Sequence, residues 1–346
     1  AAPNYPYTCY DVLYRTPRQH VGGCLWHSFD HQRGYHPDPF YGGLMDVFRQ
    51  PKYSYYMFQA QRSPKKQDRL FETGPMVYIA HEMTPFSPKD VTVYSNCDEV
   101  RLTYNKGGKS LTYTKPVSRE GMPSPIITFK DVYNFMIDKN MSMKEGRQKE
   151  VFLLAEGLIN GKVVATHKVC PARRPSKLLL WIDNENTELK ADGSDFVTVI
   201  AAIADKNGNI KRLNNYYVKF HIEGEGRILG GANVLANPAP VKWGTAPILV
   251  QSTLKPGKIK ITASVLFEGS QMPVSAELEL ESKPSAYPLI YASEEAALIP
   301  MKSDSQSFPI TAKSQKELEK EKAVKEQNER KLKEVEQQQA DFGEKK

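Results

Sequence analysis

Three side chains that can bind a small polar ligand lie close together near the start of the chain. Trp26, His27 and Asp30 follow the short apolar run Gly22-Gly23-Cys24-Leu25. This pattern is typical of a buried strand that ends at an open site, as barrel strands do at their carboxyl ends. An indole can stack on the apolar face of a pyranose, and a carboxylate or imidazole can hydrogen-bond to its hydroxyls. We therefore take these three residues as candidate substrate-binding residues for a carbohydrate.

Each candidate also has an ordinary structural explanation. Trp26 could close the end of a barrel core. Asp30 could bind a sugar hydroxyl or orient a loop, and the sequence leaves both open. His27, His31 and His36 are spaced by four and five residues, but they fall in a loop rich in proline and glycine. No helix places two of these imidazoles on one face, so we predict no metal site and no cofactor.

A second pattern follows the candidate site. Residues 42–52 predict a loop, and residues 53–59 predict an amphipathic helix with Tyr53, Tyr56 and Met57 on its buried face. With the Gly-Gly, Trp and Asp pattern, this resembles the last strand and last helix of the (β/α)8 barrel in glycoside hydrolase family two, the β-galactosidase clan of Bacteroidetes type. The resemblance implies a retaining β-glycosidase acting on terminal β-linked sugars of oligo- or polysaccharides. It also favours sugar stacking for Trp26.

The same resemblance implies a pair of catalytic carboxyl groups, which the start of the chain does not contain. A retaining glycosidase needs two carboxyl groups about 5 Å apart, one as acid/base and one as nucleophile. In this family both are glutamates on earlier barrel strands. No glutamate precedes Glu72, and Asp11 is the only acidic residue before Asp30. We therefore expect the catalytic glutamates to lie outside this chain, which alone should be an inactive part of an O-glycosyl hydrolase.

Composition and length agree with part of a larger periplasmic or secreted enzyme. The 346 residues are 40% hydrophobic and 25% charged, which is ordinary for a globular protein of about two or three domains. No apolar run reaches the roughly 18 residues of a membrane span. Residues 1–5 show no signal peptide, which has no bearing on export for a sequence that starts inside a barrel.

The net charge of +7 does not indicate nucleic-acid binding. The 47 basic residues are interleaved with 40 acidic ones, and small basic clusters occur at Lys65-Lys66 and Arg173-Arg174. Nucleic-acid binding requires clustering on one face, so both clusters favour a solvated loop over a phosphate site. We expect a carbohydrate substrate, no nucleic acid and no membrane span. A further partner is either the missing N-terminal part of the same enzyme or a second copy in a homo-oligomer.

The cysteines carry no recognisable motif. Cys9, Cys24, Cys97 and Cys170 lack the spacing of a paired metal or redox site. Cys24 lies within the predicted buried strand, where a free cysteine behaves as a small hydrophobic residue. The sequence favours free thiols over a bridge between Cys97 and Cys170.

The chain after the barrel end predicts mainly β structure. We assign residues 1–70 to the end of a barrel, 71–173 to a β-sandwich, 174–283 to a second, immunoglobulin-like sandwich, and 284–346 to a linker and a charged helix. Alternating apolar residues predict strands at 76–80, 91–95, 100–104, 151–155, 178–182, 196–202, 217–222 and 259–265. Hairpin turns are predicted at 105–108, 160–162 and 205–209.

Two further features concern the second half. Gly224-Glu225-Gly226 and the following Gly230-Gly231 resemble the immunoglobulin-like repeat of invasins, which also occurs at the C-terminus of many family-two enzymes. That repeat alone suggests the alternative function, a non-catalytic carbohydrate-binding or adhesion module, but such a module would have no use for a barrel strand and helix. Ser314 with Glu317 forms a capping box that predicts a solvated helix from there to about Phe342.

Overall fold

The protein is mainly β, as predicted. A computed structural model describes residues 5–17, 19–34, 39–66, 73–105, 109–118, 120–136, 139, 151–183, 188–266 and 272–286. Its helices are α1 (Tyr5–Tyr14) and α2 (Tyr53–Gln59). Its strands are β1 (Val77–Ala80), β2 (Val91–Ser95), β3 (Glu99–Tyr104), β4 (Lys109–Thr114), β5 (Ile127–Phe129), β6 (Leu153–Ile159), β7 (Lys162–Val169), β8 (Lys177–Asp183), β9 (Lys190–Ala191), β10 (Phe196–Ala204), β11 (Tyr217–Gly224), β12 (Gly226–Ile228), β13 (Ala239–Pro240), β14 (Thr245–Ser252), β15 (Gly257–Leu266) and β16 (Ala276–Pro284).

Two sequence predictions concern helices, namely the charged C-terminal helix and the lack of a membrane span. The charged helix predicted from Ser314 lies outside the described residues. Within the described part of the chain, neither helix has the length and apolar character needed to cross a membrane.

The helix α2 covers the outer face of a sheet. Met57 and Ala60 are buried against Ala80, Tyr94 and Met122, and Tyr53 and Tyr56 pack beside them. This confirms the buried face predicted from the spacing of Tyr53, Tyr56 and Met57. The other helix joins the same cluster, because the Tyr10 ring meets the Phe58 ring edge to face at 4.8 Å.

The helix α2 begins after Pro51 and Lys52, at the residue that the sequence predicts. Lys52 is the N-cap, with extended backbone at φ −95° and ψ 175°, so Pro51 lies ahead of the helix and not in its first turn. Pro51 forms a β-bridge with Met45, and the Lys52 amide donates to the Leu44 carbonyl at 3.0 Å. These contacts hold the backbone extended through Lys52.

The first sheet pair follows α2. A three-stranded sheet, β1-β2-β5, faces a four-stranded sheet, β4-β3-β6-β7. The core between them comprises Val77, Ile79, Val91, Val93, Val100, Leu102, Leu153 and Ala155, among others. The turn between β6 and β7 is the predicted hairpin, with Asn160 at φ 51° and Gly161 at φ 72°. Two successive positive φ values are typical of the two-residue hairpin turn that asparagine and glycine favour.

Asn96 ties the chain that leaves α2 to the end of β2. Its buried side-chain amide donates to the carbonyls of Arg62 (3.1 Å) and Gly74 (2.9 Å), and its Oδ1 accepts from the Met76 amide at 2.8 Å. Both amide hydrogens are thereby used, and Oδ1 also accepts a weak contact from Cys97 Sγ at 3.9 Å, which stabilises a connection that lacks regular structure.

Cys97 and Cys170 are not joined by a disulfide, and Cys24 is not part of one either. Burial raises the pKa of the Cys97 thiol above its ordinary value. The Cys97 Sγ lies where a Cβ on Gly157 would be only 2.6 Å away, so the close approach of β6 to Cys97 requires glycine.

The second sheet pair consists of the sheets β12-β14-β10-β8 and β13-β11-β15-β16-β9. Its core contains Val199, Ala201, Ile248 and Val250 from one sheet and Val218, Phe220, Ile259 and Ile261 from the other. The sequence patterns missed β14 and β16. Pro247 lies inside β14, and proline within a run argues against an inner strand.

The turn at residues 205–209 differs from its prediction. It does not join paired strands, because β10 and β11 belong to different sheets and only Ala204 and Ile210 form a bridge. The chain turns here to cross from one sheet to the other. The predicted reversal is present, since Ala204 and Ile210 are antiparallel, but turn residues do not reveal which sheet the next strand joins.

A polar network joins α2, the first sheet pair and the second sheet pair. Arg212 Nε donates to Glu82 Oε2 at 2.9 Å, and the Tyr53 hydroxyl donates to Glu82 Oε1 at 3.2 Å. Arg212 Nη1 also donates to the Trp243 carbonyl at 3.3 Å. Both charged side chains are largely shielded from water, which strengthens the ion pair.

The first prediction concerns this network. Arg212→Met should lower the free energy of unfolding by about 1–3 kcal/mol, because it leaves the Glu82 carboxylate half-buried without its cation. Urea unfolding measures the loss. Arg227→Met is the matched control, since Arg227 is exposed and bonds Gln251, and it should change stability by no more than about 0.5 kcal/mol. Equal effects of the two substitutions would contradict a stabilising role for the ion pair.

The second prediction concerns two buried imidazoles. His167 Nδ1 accepts from the Ile79 amide at 3.0 Å and His81 Nδ1 accepts from the Met83 amide at 3.1 Å, so both rings are neutral. Burial lowers the pKa of each. The unfolded chain therefore binds protons more readily, and stability that is complete above the unfolded pKa of about 6.5 is lost as the pH falls below it.

Urea midpoints at pH 7.5 and pH 5.5 test this directly. The wild-type chain should be less stable at pH 5.5, and His167→Gln should shrink the difference because the amide oxygen can accept from Ile79 without titrating. His221→Gln is the control, since His221 is exposed. A pH difference that His167→Gln leaves as large as in the wild type would argue against His167 as a source.

Candidate functional site

The predicted strand before Trp26 is absent. Residues 21–25 have no strand partner among the described residues, and Val21, Cys24 and Leu25 are exposed. The prediction that Cys24 is buried in a strand is therefore wrong for this structure. A parallel strand is stabilised by hydrogen-bonded neighbours, and the described chain provides none beside this segment.

Residues 28–34 and 39–52 instead form a loop with its own pairing. Phe29 bridges Met45 in parallel, and His31 bridges Phe40 in antiparallel fashion. The Asp30 amide donates to the Met45 carbonyl at 3.0 Å. The two arms of the loop are thereby held side by side.

Asp30 lies at the centre of this loop and is buried, with 6% of its surface exposed. Its Oδ1 accepts from the Gly43 amide at 3.0 Å and from Lys52 Nζ at 2.5 Å. Lys52 Nζ also donates to the Tyr41 carbonyl at 3.2 Å. The carboxylate thus faces protein donors, and of the two alternatives for Asp30 the structure shows the loop-orienting contacts.

Gly43 permits that arrangement. A Cβ at this position would fall 2.3 Å from the Phe29 carbonyl carbon and 2.4 Å from the Asp30 nitrogen. Both atoms belong to backbone that is fixed by the bridge to Met45, so they cannot move aside. Only glycine lets the two arms approach closely enough for the Gly43 amide to reach Asp30.

Asp46 is a second organising carboxylate, which the sequence analysis did not identify. Its Oδ1 accepts from the amides of Phe48 (2.8 Å) and Gln50 (2.9 Å), and its Oδ2 accepts from Gln50 Nε2 at 3.0 Å. Burial raises the pKa of Asp46, while these hydrogen bonds act against the increase. An aspartate two residues before a satisfied amide is an Asx turn, a signal that the sequence does contain.

Aromatic and imidazole rings cluster on the outer side of the loop. The His27 ring lies 4.3 Å from His31 and 5.0 Å from Phe40, and the Arg33 guanidinium lies 5.5 Å from the centre of the Phe40 ring. Desolvation lowers the pKa of His27, and the nearby charge of His31 lowers it further. A neutral imidazole has one donor and one acceptor, which suits a hydroxyl ligand.

Trp26 stands beside this cluster. Its indole is 88% exposed and meets the His27 ring edge to face at 6.0 Å. The structure therefore brings Trp26 and His27 together, whereas Asp30 is buried within the loop. The arrangement offers a flat apolar face and polar ring edges, which can hold a ring-shaped polyol.

The described acidic residues of the loop do not form a catalytic pair. Asp30 and Asp46 are occupied by the contacts given above and support the loop backbone. Within the described residues, no three histidine, cysteine, aspartate or glutamate side chains are arranged to hold a metal ion. His36 lies outside those residues.

Comparison with known proteins identifies relatives over most of the chain. The profile described as "Glycoside hydrolase family 2 C-terminal domain 5" matches residues 180–266. A β-galactosidase from Thermoanaerobacter pseudethanolicus is 32% identical over 273 residues, which are 77% of this chain and 34% of that protein. A β-galactosidase from Bacteroides ovatus is 28% identical over 261 residues, which are 70% of this chain and 27% of that protein.

A solved structure shares the fold. The crystal structure of a β-glycosidase from Bacteroides vulgatus superposes with a TM-score of 0.53 at 23% identity, over 74% of this chain and 30% of that one. The chain thus spans about a third of the length of these relatives. The adhesion-module alternative is not favoured, since the curated relatives are named as glycosidases. By its matched domain and its relatives, the chain belongs to glycoside hydrolase family 2 and corresponds to the C-terminal portion of its members.

Proposed function

We propose that this chain is the C-terminal part of a retaining β-glycosidase of β-galactosidase type, which hydrolyses terminal β-linked sugars of oligo- or polysaccharides. The observation that carries the proposal is the exposed Trp26 indole beside His27, on a loop held by Asp30. The β-galactosidase names of the two curated relatives support the class of sugar.

In this proposal each residue has a separate role. Trp26 stacks on the apolar face of the terminal sugar and forms the floor of its subsite. His27 hydrogen-bonds a hydroxyl from its ring edge. Asp30 acts as a positioning residue, because its contacts with Gly43 and Lys52 set the loop from which Trp26 and His27 project.

The catalytic glutamates belong, in this proposal, to a part of the enzyme outside this chain. Residues 1–70 then form the end of its barrel. Val21 is fully exposed and Leu25 partly so, and neighbouring barrel strands would cover them. Burial of such side chains contributes about 1.5–3 kcal/mol each, which would favour the strand conformation that the sequence predicts.

We further propose that the two sheet pairs are accessory β-sandwiches, at residues 71–173 and 174–283, and that the second is immunoglobulin-like. Each has its own apolar core. The enzyme would act in the periplasm or outside the cell, where polysaccharides are met, and the rest of the same enzyme or a second copy of the chain would be its partner. The charged helix predicted within residues 284–346 remains part of this proposal.

The third prediction is that the chain alone has no glycosidase activity. Aryl β-galactosides and aryl β-glucuronides should show no turnover above buffer, because the described loop has no pair of carboxyl groups free for acid/base and nucleophilic roles. A circular dichroism spectrum of β structure would establish that the assayed chain is folded. Turnover that disappears in Asp30→Asn would instead place catalysis within this chain.

The fourth prediction concerns Trp26 in the full-length enzyme. Trp26→Ala should weaken transition-state binding by about 1–3 kcal/mol, which lowers kcat/KM about 5- to 150-fold, since the sugar loses its stacking surface. Trp243→Ala is the matched control, because it removes another exposed indole, on the second sheet pair, and kcat/KM should be unchanged. A lower melting temperature with normal kcat/KM in Trp26→Ala would show that the indole packs in a core.

A further inference from the structure

An open cavity of about 290 Å³ lies where the first sheet pair, the linker and the second sheet pair meet. We call it the seam cavity. Lys168 of β7, Arg173 of the linker and the amide residues Asn207 and Asn209 of the 205–209 turn line it, together with the Cys170 thiol. Among the described residues that line it, none carries a negative charge. The polar groups that line the cavity are therefore cations and side-chain amides that can form hydrogen bonds.

Contacts with the surrounding chain position the Lys168 side chain and the backbone of the linker. Lys168 Nζ lies 4.2 Å from the centre of the Phe152 ring, a cation–π contact that orders the long side chain. Lys211 Nζ donates to the Ala172 carbonyl at 3.4 Å and adds a third positive charge beside the linker. The backbone amide of Arg173 donates to Asp205 Oδ2 at 3.0 Å, which fixes the linker against the turn.

The Asp205 carboxylate beneath the turn is already satisfied. It is fully buried and also accepts from the amides of Asn207 (2.9 Å) and Asn209 (3.0 Å) and from Asn209 Nδ2 (3.1 Å). Burial alone would raise its pKa, but with Arg173 these donors outweigh that effect and the pKa is below its ordinary value. The Asp205 carboxylate is thus used in ordering the turn and the linker.

We propose that the seam cavity binds an oxyanion, a sulfate, phosphate or carboxylate group borne on a molecule up to the size of a monosaccharide. Charge-assisted hydrogen bonds from lysine and arginine are the strong contacts for such groups, and asparagine amides add neutral donors. The volume exceeds that of a bare ion, which leaves space for a sugar ring. The inference does not depend on the proposed glycosidase function.

The same geometry revises the expectation for the Arg173-Arg174 cluster. The sequence favoured a solvated loop for both residues. Both arginines are exposed, and of the two only Arg173 lines the cavity. An anion between Lys168 and Arg173 would link β7 of the first sheet pair to the linker that begins the second. Because such a ligand binds the folded chain alone, it should raise the melting temperature.

The test measures binding to the full chain by thermal shift and titration calorimetry. The probes are inorganic sulfate, inorganic phosphate and glucuronate, with glucose as the uncharged control, all at constant ionic strength adjusted with sodium chloride. At least one anion should raise the melting temperature by several degrees, and glucose should not. A response to sulfate or phosphate alone indicates a tetrahedral anion, and a response to glucuronate alone indicates a sugar-borne carboxylate.

Three variants locate the site. Arg173→Gln and Lys168→Gln should each weaken binding at least tenfold, and Arg174→Gln should bind as the wild-type chain does. Each removes one positive charge, so a general loss of charge is controlled. Lys168→Gln also keeps the test decisive if Arg173→Gln does not fold. Binding that is equal in Arg173→Gln and Arg174→Gln, or equal for glucose and glucuronate, would overturn the proposal.

Alkylation gives an independent readout of position. Iodoacetamide modification, followed by peptide mass mapping, reports on Cys170 inside the cavity and on the exposed Cys24 in the same molecule. The bound anion should slow modification of Cys170 severalfold and leave Cys24 unchanged. Binding without protection of Cys170, or no binding by the wild-type chain at tens of millimolar anion, would show that the cavity is not an anion site.

Discussion

The candidate site depends on one packing contact, the stack of Tyr56 in α2 on Tyr78 in β1. Their ring centres lie 3.6 Å apart with planes 7° from parallel, and the His167 ring covers Tyr78 at 4.5 Å. Burial raises the pKa of the Tyr78 phenol, which keeps this layer uncharged. Since α2 follows directly on Lys52, the partner of Asp30, the stack connects the Trp26 loop to the first sheet pair.

Buried carboxylates organise both proposed binding regions in the same way. Asp30 accepts from the Gly43 amide and Lys52, and Asp205 accepts from three backbone amides and one side-chain amide. A buried carboxylate without partners would be strongly destabilising, so each one imposes a defined path on the loop that surrounds it. The groups placed to meet a ligand, Trp26 in one region and Lys168 and Arg173 in the other, lie outside these anchors.

Local patterns predicted much of this architecture because they report directly on backbone conformation. The β6–β7 hairpin follows from Asn160-Gly161, which tolerate positive φ at both positions. The buried face of α2 follows from helical spacing. The same rules failed for β14, where Pro247 concealed a well-paired strand, and for the 205–209 turn, whose flanking strands separate into two sheets. Pairing across many residues depends on packing that no short window contains.

For the site, the sequence by itself determined the residue types and their order: an indole, an imidazole and a carboxylate after a Gly-Gly run, in the pattern of family 2. It left the role of Asp30 open. Only the tertiary structure shows its contacts, because the partners Gly43 and Lys52 are 13 and 22 residues away in the chain. Likewise, the sequence showed Arg173 and Arg174 as equivalent neighbours, and only the folded seam distinguishes the residue that lines a cavity from the one that does not. Side-chain chemistry is local, whereas burial and charge environment arise from segments that folding brings together.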